Sequence, residues 1–152
     1  MAELTETEVL ELARLASSRG VRLDLHGRNL SNLGFFRVSF PGANFAGCDL
    51  SQTNFGRADL READLSGAAL SGASLQGAML TSAKLSGAYL FQASLVGADL
   101  RAADLRGADL HAANLRDADL SGADLREAVY GEDTLWPLEF LVARSGAIKR
   151  PL

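Results

Sequence analysis

Ala58-Asp59-Leu60-Arg61-Glu62-Ala63-Asp64-Leu65-Ser66-Gly67-Ala68-Ala69-Leu70 opens a stretch, running to Ala128, in which alanine returns at every fifth position. Leucine follows each alanine by two residues, up to Leu125. A period of five matches neither the ~3.6 of a helix nor the ~2 of a strand, so a repeat architecture has to be considered first. Alanine and the leucine two places on point to one side of an extended segment, because side chains alternate along a strand. Both therefore face inward. The residue between them, usually Asp, Asn or Ser, faces water, and the next two are commonly Ser-Gly, Arg-Gly or Gln-Gly, which is turn chemistry. Three residues of strand and a two-residue corner, repeated with one sense of turn, close into a coil on which the next coil stacks at ~4.8 Å. The result is an all-β solenoid with alternating layers of small and large apolar side chains.

The same register extends beyond the alanine-rich stretch. Every multiple of five from Leu25 to Leu135 is Leu, Phe or Tyr, with Phe at 35, 40, 45 and 55 and Tyr at 130. Tandem A-[D/N]-L-x-x of this kind resembles the pentapeptide-repeat proteins. The resemblance implies a right-handed quadrilateral β-helix with roughly twenty residues per coil. The expected organisation is an N-terminal capping helix over residues 1–20, a β-helix of about 22 repeats in 5 to 6 coils over residues 21–135, and a C-terminal cap over residues 136–152.

A chain of 152 residues with 47% apolar composition makes one domain with a continuous core. Fifteen basic and nineteen acidic residues leave a net charge of −4, which gives no electrostatic reason to expect direct nucleic-acid binding. No run of about 18 apolar residues suggests a membrane span, and residues 1–18 lack the pattern of a secretory signal. The expected location is the cytoplasm, in keeping with the single cysteine, Cys48.

The ends of a solenoid expose apolar layers and unpaired backbone, so cover is expected there. At the N-terminus, Val9, Leu12 and Ala16 have helical spacing, Thr5 and Glu8 match a capping box, and Gly20 stops the helix. Such a helix suits a cap, or a separate binding element. Between residues 21 and 57 the repeats are degenerate. Arg28 stands in an inward small-residue slot, which predicts a distorted corner from His26 to Asn29, and the phenylalanines predict widened or repacked first coils. Pro41-Gly42 falls on a corner, where proline sacrifices no ladder hydrogen bond. At the other end, residues 138–144 suit a short helix, and residues 148–152 are expected to be mobile. Tyr130, Thr134, Trp136-Pro137 and Phe140 resemble the closing tail of pentapeptide-repeat proteins.

Candidate chemistry is sparse. His26 and His111 are far apart and have no ligand at metal spacing, and His111 occupies an outward corner slot that reads as solvated surface. Cys48 stands where repeats place alanine, which predicts a buried, inert thiol. The aspartates recur because each fills an outward slot, so their spacing reflects architecture rather than an acid–base pair. No catalytic residue, cofactor site or metal site is expected, and the chain reads as non-enzymatic.

The outward slots are more informative. Residues 69–96 contain no Asp or Glu, and Met79, Tyr89, Phe91, Val96 and the neighbouring His111 make a candidate partner patch there. Drift at tolerant surface positions is the other reading. Beyond it, residues 97–128 carry seven acidic residues against four arginines. Asp64, Asp104 and Asp124 are predicted to share an acidic face interrupted by Lys84. Within the pentapeptide-repeat family the quinolone-resistance proteins are acidic rods resembling the DNA gripped by gyrase. The leading expectation is a rigid protein–protein interaction module of unknown partner; the alternative is a DNA-mimicking, gyrase-binding protein. The rod is expected to be a monomer or an end-to-end homodimer.

Overall fold

In the computed structural model, which describes residues 4–151, the chain forms a helix, α1 (Glu6–Ser18), followed by a stack of coils. Parts of the expected end segments, residues 1–3 and 152, lie outside the described residues. From Asp24 onward each middle residue bridges in parallel to the residue twenty places later: Asp24 to Asn44, Asn44 to Asp64, and so on to Asp109 with Val129. Every coil therefore has four sides, and the middle slots stack in four columns. The first face carries Asp24, Asn44, Asp64, Lys84, Asp104 and Asp124; the second Asn29, Asp49, Ala69, Tyr89, Asp109 and Val129. The third carries Gly34, Asn54, Ser74, Ser94 and Asn114, and the fourth Ser39, Asp59, Met79, Asp99 and Asp119.

The corners follow one rule. The second corner residue adopts the left-handed conformation at every turn from Gly27 to Glu127, whether it is glycine (Gly67, φ 62°) or not (Gln52, φ 58°; Ala102, φ 56°). Where the middle slot holds Asp or Asn, its Oδ1 accepts the backbone N–H two residues on, as in Asp49 with Ser51 at 3.0 Å and Asn54 with Gly56 at 2.9 Å. This side-chain turn is the local reason for the recurrent Asp and Asn.

Inside, Leu60 to Leu115 and the intervening alanines are essentially inaccessible. Polar atoms in small slots bond backbone carbonyls: Thr53 Oγ1 donates to Leu30 O at 3.0 Å, and Cys48 Sγ to Leu25 O at 2.9 Å. Burial pushes the Cys48 thiol up, so it holds its proton. Phe35, Phe40, Phe45 and Phe55 pack as a cluster, largely edge to face, with centroids 5.2–6.3 Å apart. The first coils repack around these rings while the twenty-residue spacing holds.

Four expectations are corrected. The corner at His26–Asn29 is regular, because Gly27 takes the same left-handed turn (φ 66°) as its counterparts and Arg28 is only half-buried. In α1 the Thr5–Glu8 capping box forms, but the buried line runs through Val9 and Ala16 while Leu12 is exposed. Leu135 is not an inward residue. The turn at Gly131–Asp133 adds one residue, so Asn114 pairs with Leu135, and Thr134 takes a buried position with its Oγ1 donating to Leu110 O at 2.9 Å. Finally, the C-terminal tail returns to the solenoid: β2 (Ile148–Lys149) pairs in parallel with β1 (Val129–Tyr130), after a short 3-10 turn at Val142–Arg144 in place of the predicted helix.

Residues of both end segments, among them Val9 and Trp136, pack against the solenoid core. At the first coil, Glu6 reaches from α1 to accept the N–H of Gly34 at 3.1 Å, satisfying an edge donor that has no preceding coil. At the last, Trp136 stacks on Phe140 (centroids 5.2 Å) and meets Tyr130 edge-on at 5.4 Å.

Candidate functional site

The four columns divide the predicted patch. Tyr89 stands on the second face, 56% exposed, while Met79 stands on the opposite, fourth face, 39% exposed. Phe91 lies in the corner between the second and third faces and Val96 in the corner between the third and fourth; both are half-buried. The structure thus brings Tyr89 and Phe91 together and places Met79 away from them. His111, stacked above Phe91, is not solvated surface: it is 6% exposed, because the returning tail covers it. That corrects its reading as an outward solvated histidine.

Between the two aromatic corners lies the third face. Its middle slots, Gly34, Asn54, Ser74, Ser94 and Asn114, carry no charge, whereas each other face holds at least two aspartates. Phe36, overlooked in the sequence, borders this face in the Val96 column, 52% exposed, with the Arg37 guanidinium 5.1 Å from its ring centroid. Phe35-Phe36 held the signal for it, since only one of two adjacent strand residues can face the core. The Phe36 ring lies over Gly56, where a Cβ would come within 2.9 Å of it. Phe36, Asn54, Gly56, Arg57, Ser74 and Gln76 line a surface hollow of about 350 Å³.

The first face brings Asp64, Asp104 and Asp124 into one column, but their charge is matched. Arg106 Nε and a terminal guanidinium nitrogen grip Asp104 at 2.8 and 2.7 Å, and Arg126 grips Asp124 at 2.9 and 2.6 Å. Asp64 has Lys84 at 3.7 Å and Arg22 at 3.8 Å. The same bidentate clasp joins Asp59 to Arg61 and Asp99 to Arg101 on the fourth face. The arginine two residues along holds Asp124 and Asp99 at about 2, well below the ordinary carboxylate range. The spacing Asp-Leu-Arg carried the signal for these pairs: the side chains at i and i+2 flank one inward leucine and meet outside it. Among the described residues, no group of three or more His, Cys, Asp or Glu converges as a metal site.

The pentapeptide-repeat family model matches residues 21–57, 39–77, 58–95 and 93–129, in eight copies. The chain is a pentapeptide-repeat protein. Its coil is the right-handed quadrilateral β-helix of that family. Comparison with curated proteins returns no match. Among solved structures, a pentapeptide-repeat protein from Nostoc is 29% identical over 92% of this chain and 93% of its own, with a TM-score of 0.43. One from the thylakoid lumen of Arabidopsis thaliana is 29% identical over 70% and 68%, with a TM-score of 0.43. QnrB1, a plasmid-mediated fluoroquinolone resistance protein, is 22% identical over 82% and 59%, with a TM-score of 0.49. No helix among the described residues is long and apolar enough to cross a membrane.

Proposed function

We propose that this pentapeptide-repeat protein is a non-catalytic protein-binding rod whose recognition surface is the uncharged third face with its aromatic borders. The observation that carries this reading is the side-by-side placement of exposed Tyr89 and half-buried Phe91 beside a column without charge. Aromatic side chains at the edge of a flat polar face supply the large contact areas on which protein interfaces concentrate their energy. The proposed partner is a protein with a complementary apolar ridge, and the proposed compartment is the cytoplasm, supported by a single thiol that is buried and unpaired.

The competing reading is a gyrase-binding DNA mimic, for which the acidic excess beyond residue 97 and the family's quinolone-resistance members speak. Against it stands the pairing on the first face, where Asp104 and Asp124 each face an arginine and Asp64 faces Arg22 and Lys84. A surface whose carboxylates at Asp104 and Asp124 are clasped by guanidinium groups, and whose Asp64 is flanked by Arg22 and Lys84, is a weak imitation of a phosphate backbone.

Two measurements separate the readings. A partner captured by the wild-type chain should be lost by a Tyr89→Ser, Phe91→Ser double variant of unchanged melting temperature and kept by Asp104→Asn, Asp124→Asn. The reverse pattern overturns the third-face reading. DNA supercoiling by purified gyrase, with and without a quinolone, should be unaffected by the protein at about the tens of micromolar at which weak complexes form; inhibition that disappears in the double Asn variant establishes the mimic.

A further inference from the structure

His111 sits between the body of the solenoid and its tail. Its Nδ1 lies 2.6 Å from Asp109 Oδ1, and its Nε2 lies 2.8 Å from the backbone oxygen of Arg150. Both neighbours are acceptors only: one is a carboxylate oxygen, the other a peptide carbonyl. Neutral imidazole has one N–H and one lone pair, so either tautomer would point a lone pair at one of these two acceptors. The imidazolium alone donates both ways. Space for the ring is made by Gly131, where a Cβ would stand 2.9 Å from His111 Cδ2. Arg150 follows β2, whose hold on the last coil is otherwise short: Ile148 N–H donates to Ala128 O at 2.7 Å, Arg150 N–H to Tyr130 O at 2.8 Å, and Glu127 N–H to Gly146 O at 3.1 Å.

We propose that Asp109, His111 and the tail strand form a proton-dependent latch: the imidazolium clamps β2 to the edge of the last coil, and loss of its proton loosens the strand. The other titratable groups on the elements around the ring are Tyr130 in β1, Glu132 and Asp133 in the following turn, and Lys149 and the Arg150 side chain on the tail. Lys149 and Glu132 engage each other at 2.7 Å. The Asp109 hydrogen bond raises the ring's pKa above its ordinary value; burial opposes it, and the Arg150 carbonyl adds to it. A group raised in the folded state stabilises fully below its unfolded value, near ~6.5, and loses that contribution as pH climbs through the folded value. The latch is therefore closed in mild acid and opens as pH rises through the ring's elevated value. Opening frees the carbonyls of Ala128 and Tyr130, a short strand edge able to accept another segment.

The test follows the ring and the tail in one sample. NMR of the full chain, in a His26→Gln background so that one imidazole titrates, records the His111 ring and the Ile148 and Arg150 amides from about pH 5 to about pH 9. The three signals are expected to share a midpoint above the ordinary histidine value, and the exchange protection of the two amides, corrected for intrinsic rate, is expected to fall about tenfold for each unit of that elevation. His111→Gln, which cannot titrate, should flatten the amide response, and Asp109→Asn should move the midpoint to lower pH while circular dichroism shows the coil intact. Tail amides that ignore the ring's titration overturn the latch. So does an unchanged amide response in His111→Gln, or a midpoint that Asp109→Asn leaves in place.

Discussion

The corners offer a reciprocal test of the backbone reading. Ala102 adopts φ 56° and is exposed, and Ala112 adopts φ 55° at a corner half a coil further on. An L-residue with a β-carbon in this conformation carries about 1–2 kcal/mol of strain relative to the right-handed region. Glycine removes the strain but brings back about 0.5–1 kcal/mol of unfolded-chain freedom. Ala102→Gly and Ala112→Gly are therefore each expected to stabilise by about 0.5–1 kcal/mol, and to add, because the two corners share no partners. Gly107→Ala is the mirror experiment: at φ 64°, with no heavy atom within 4 Å of the added Cβ, the whole cost is conformational. It should destabilise by a similar amount. For a chain of 152 residues, each kcal/mol corresponds to a thermal shift of about 2–4 °C, so calorimetry resolves both signs. Substitutions that move the melting temperature in the same direction, or not at all, would refute a left-handed corner at every repeat.

Three further outcomes are expected. Leu85, wholly inaccessible, should cost about 4 kcal/mol or more as Leu85→Asp and about 2–5 kcal/mol as Leu85→Ala in urea unfolding, whereas Ser94→Ala on the third face should be near neutral. Because Asp99 and Asp124 are held at about 2, their contribution is complete above the ordinary value of 3.8 and is lost as pH falls toward 2. Thermal scans should show that acid sensitivity reduced in an Arg101→Gln, Arg126→Gln double variant. Deleting residues 136–152 removes the Trp136 cover and β2 together, so the truncated chain should self-associate in light scattering; a monodisperse product would mean that neither segment shields the last coil.

Much of this was legible in the sequence because the core repeats a local rule. Ala58 to Ala128 and the leucines between them needed no tertiary information to be assigned inward, since each is positioned by its own five residues. Legibility fails where a distant segment intervenes. His111 reads as an outward corner residue and is one by register; it is buried by a tail that returns 39 residues later. Leu135 fails for the opposite reason: one additional residue in the Gly131–Asp133 turn reverses which side chains face inward, and nothing in Gly-Glu-Asp announces it. The geometry of the candidate patch was half legible. The acid-free interval marked Tyr89 and Phe91, but the same interval swept in Met79, which the fourfold geometry sends to the far side. The pairing of Asp104 and Asp124 on the first face could have been read from Asp-Leu-Arg; counting charges along the chain concealed what spacing reveals.

The constant offset of twenty between bridged residues from Asp24 to Val129 has a consequence for how such a chain can change length. A duplication or loss of one whole coil translates everything above it by ~4.8 Å along the axis and rotates nothing, so each surviving column keeps its direction. Any other increment turns the upper coils by one or more quarter-turns, or reverses their inside and outside. Length in this molecule is quantised: between its two end segments, the uncharged column can be lengthened or shortened like a ruler cut only at its marks, with the residues on either side of the cut still facing the same way.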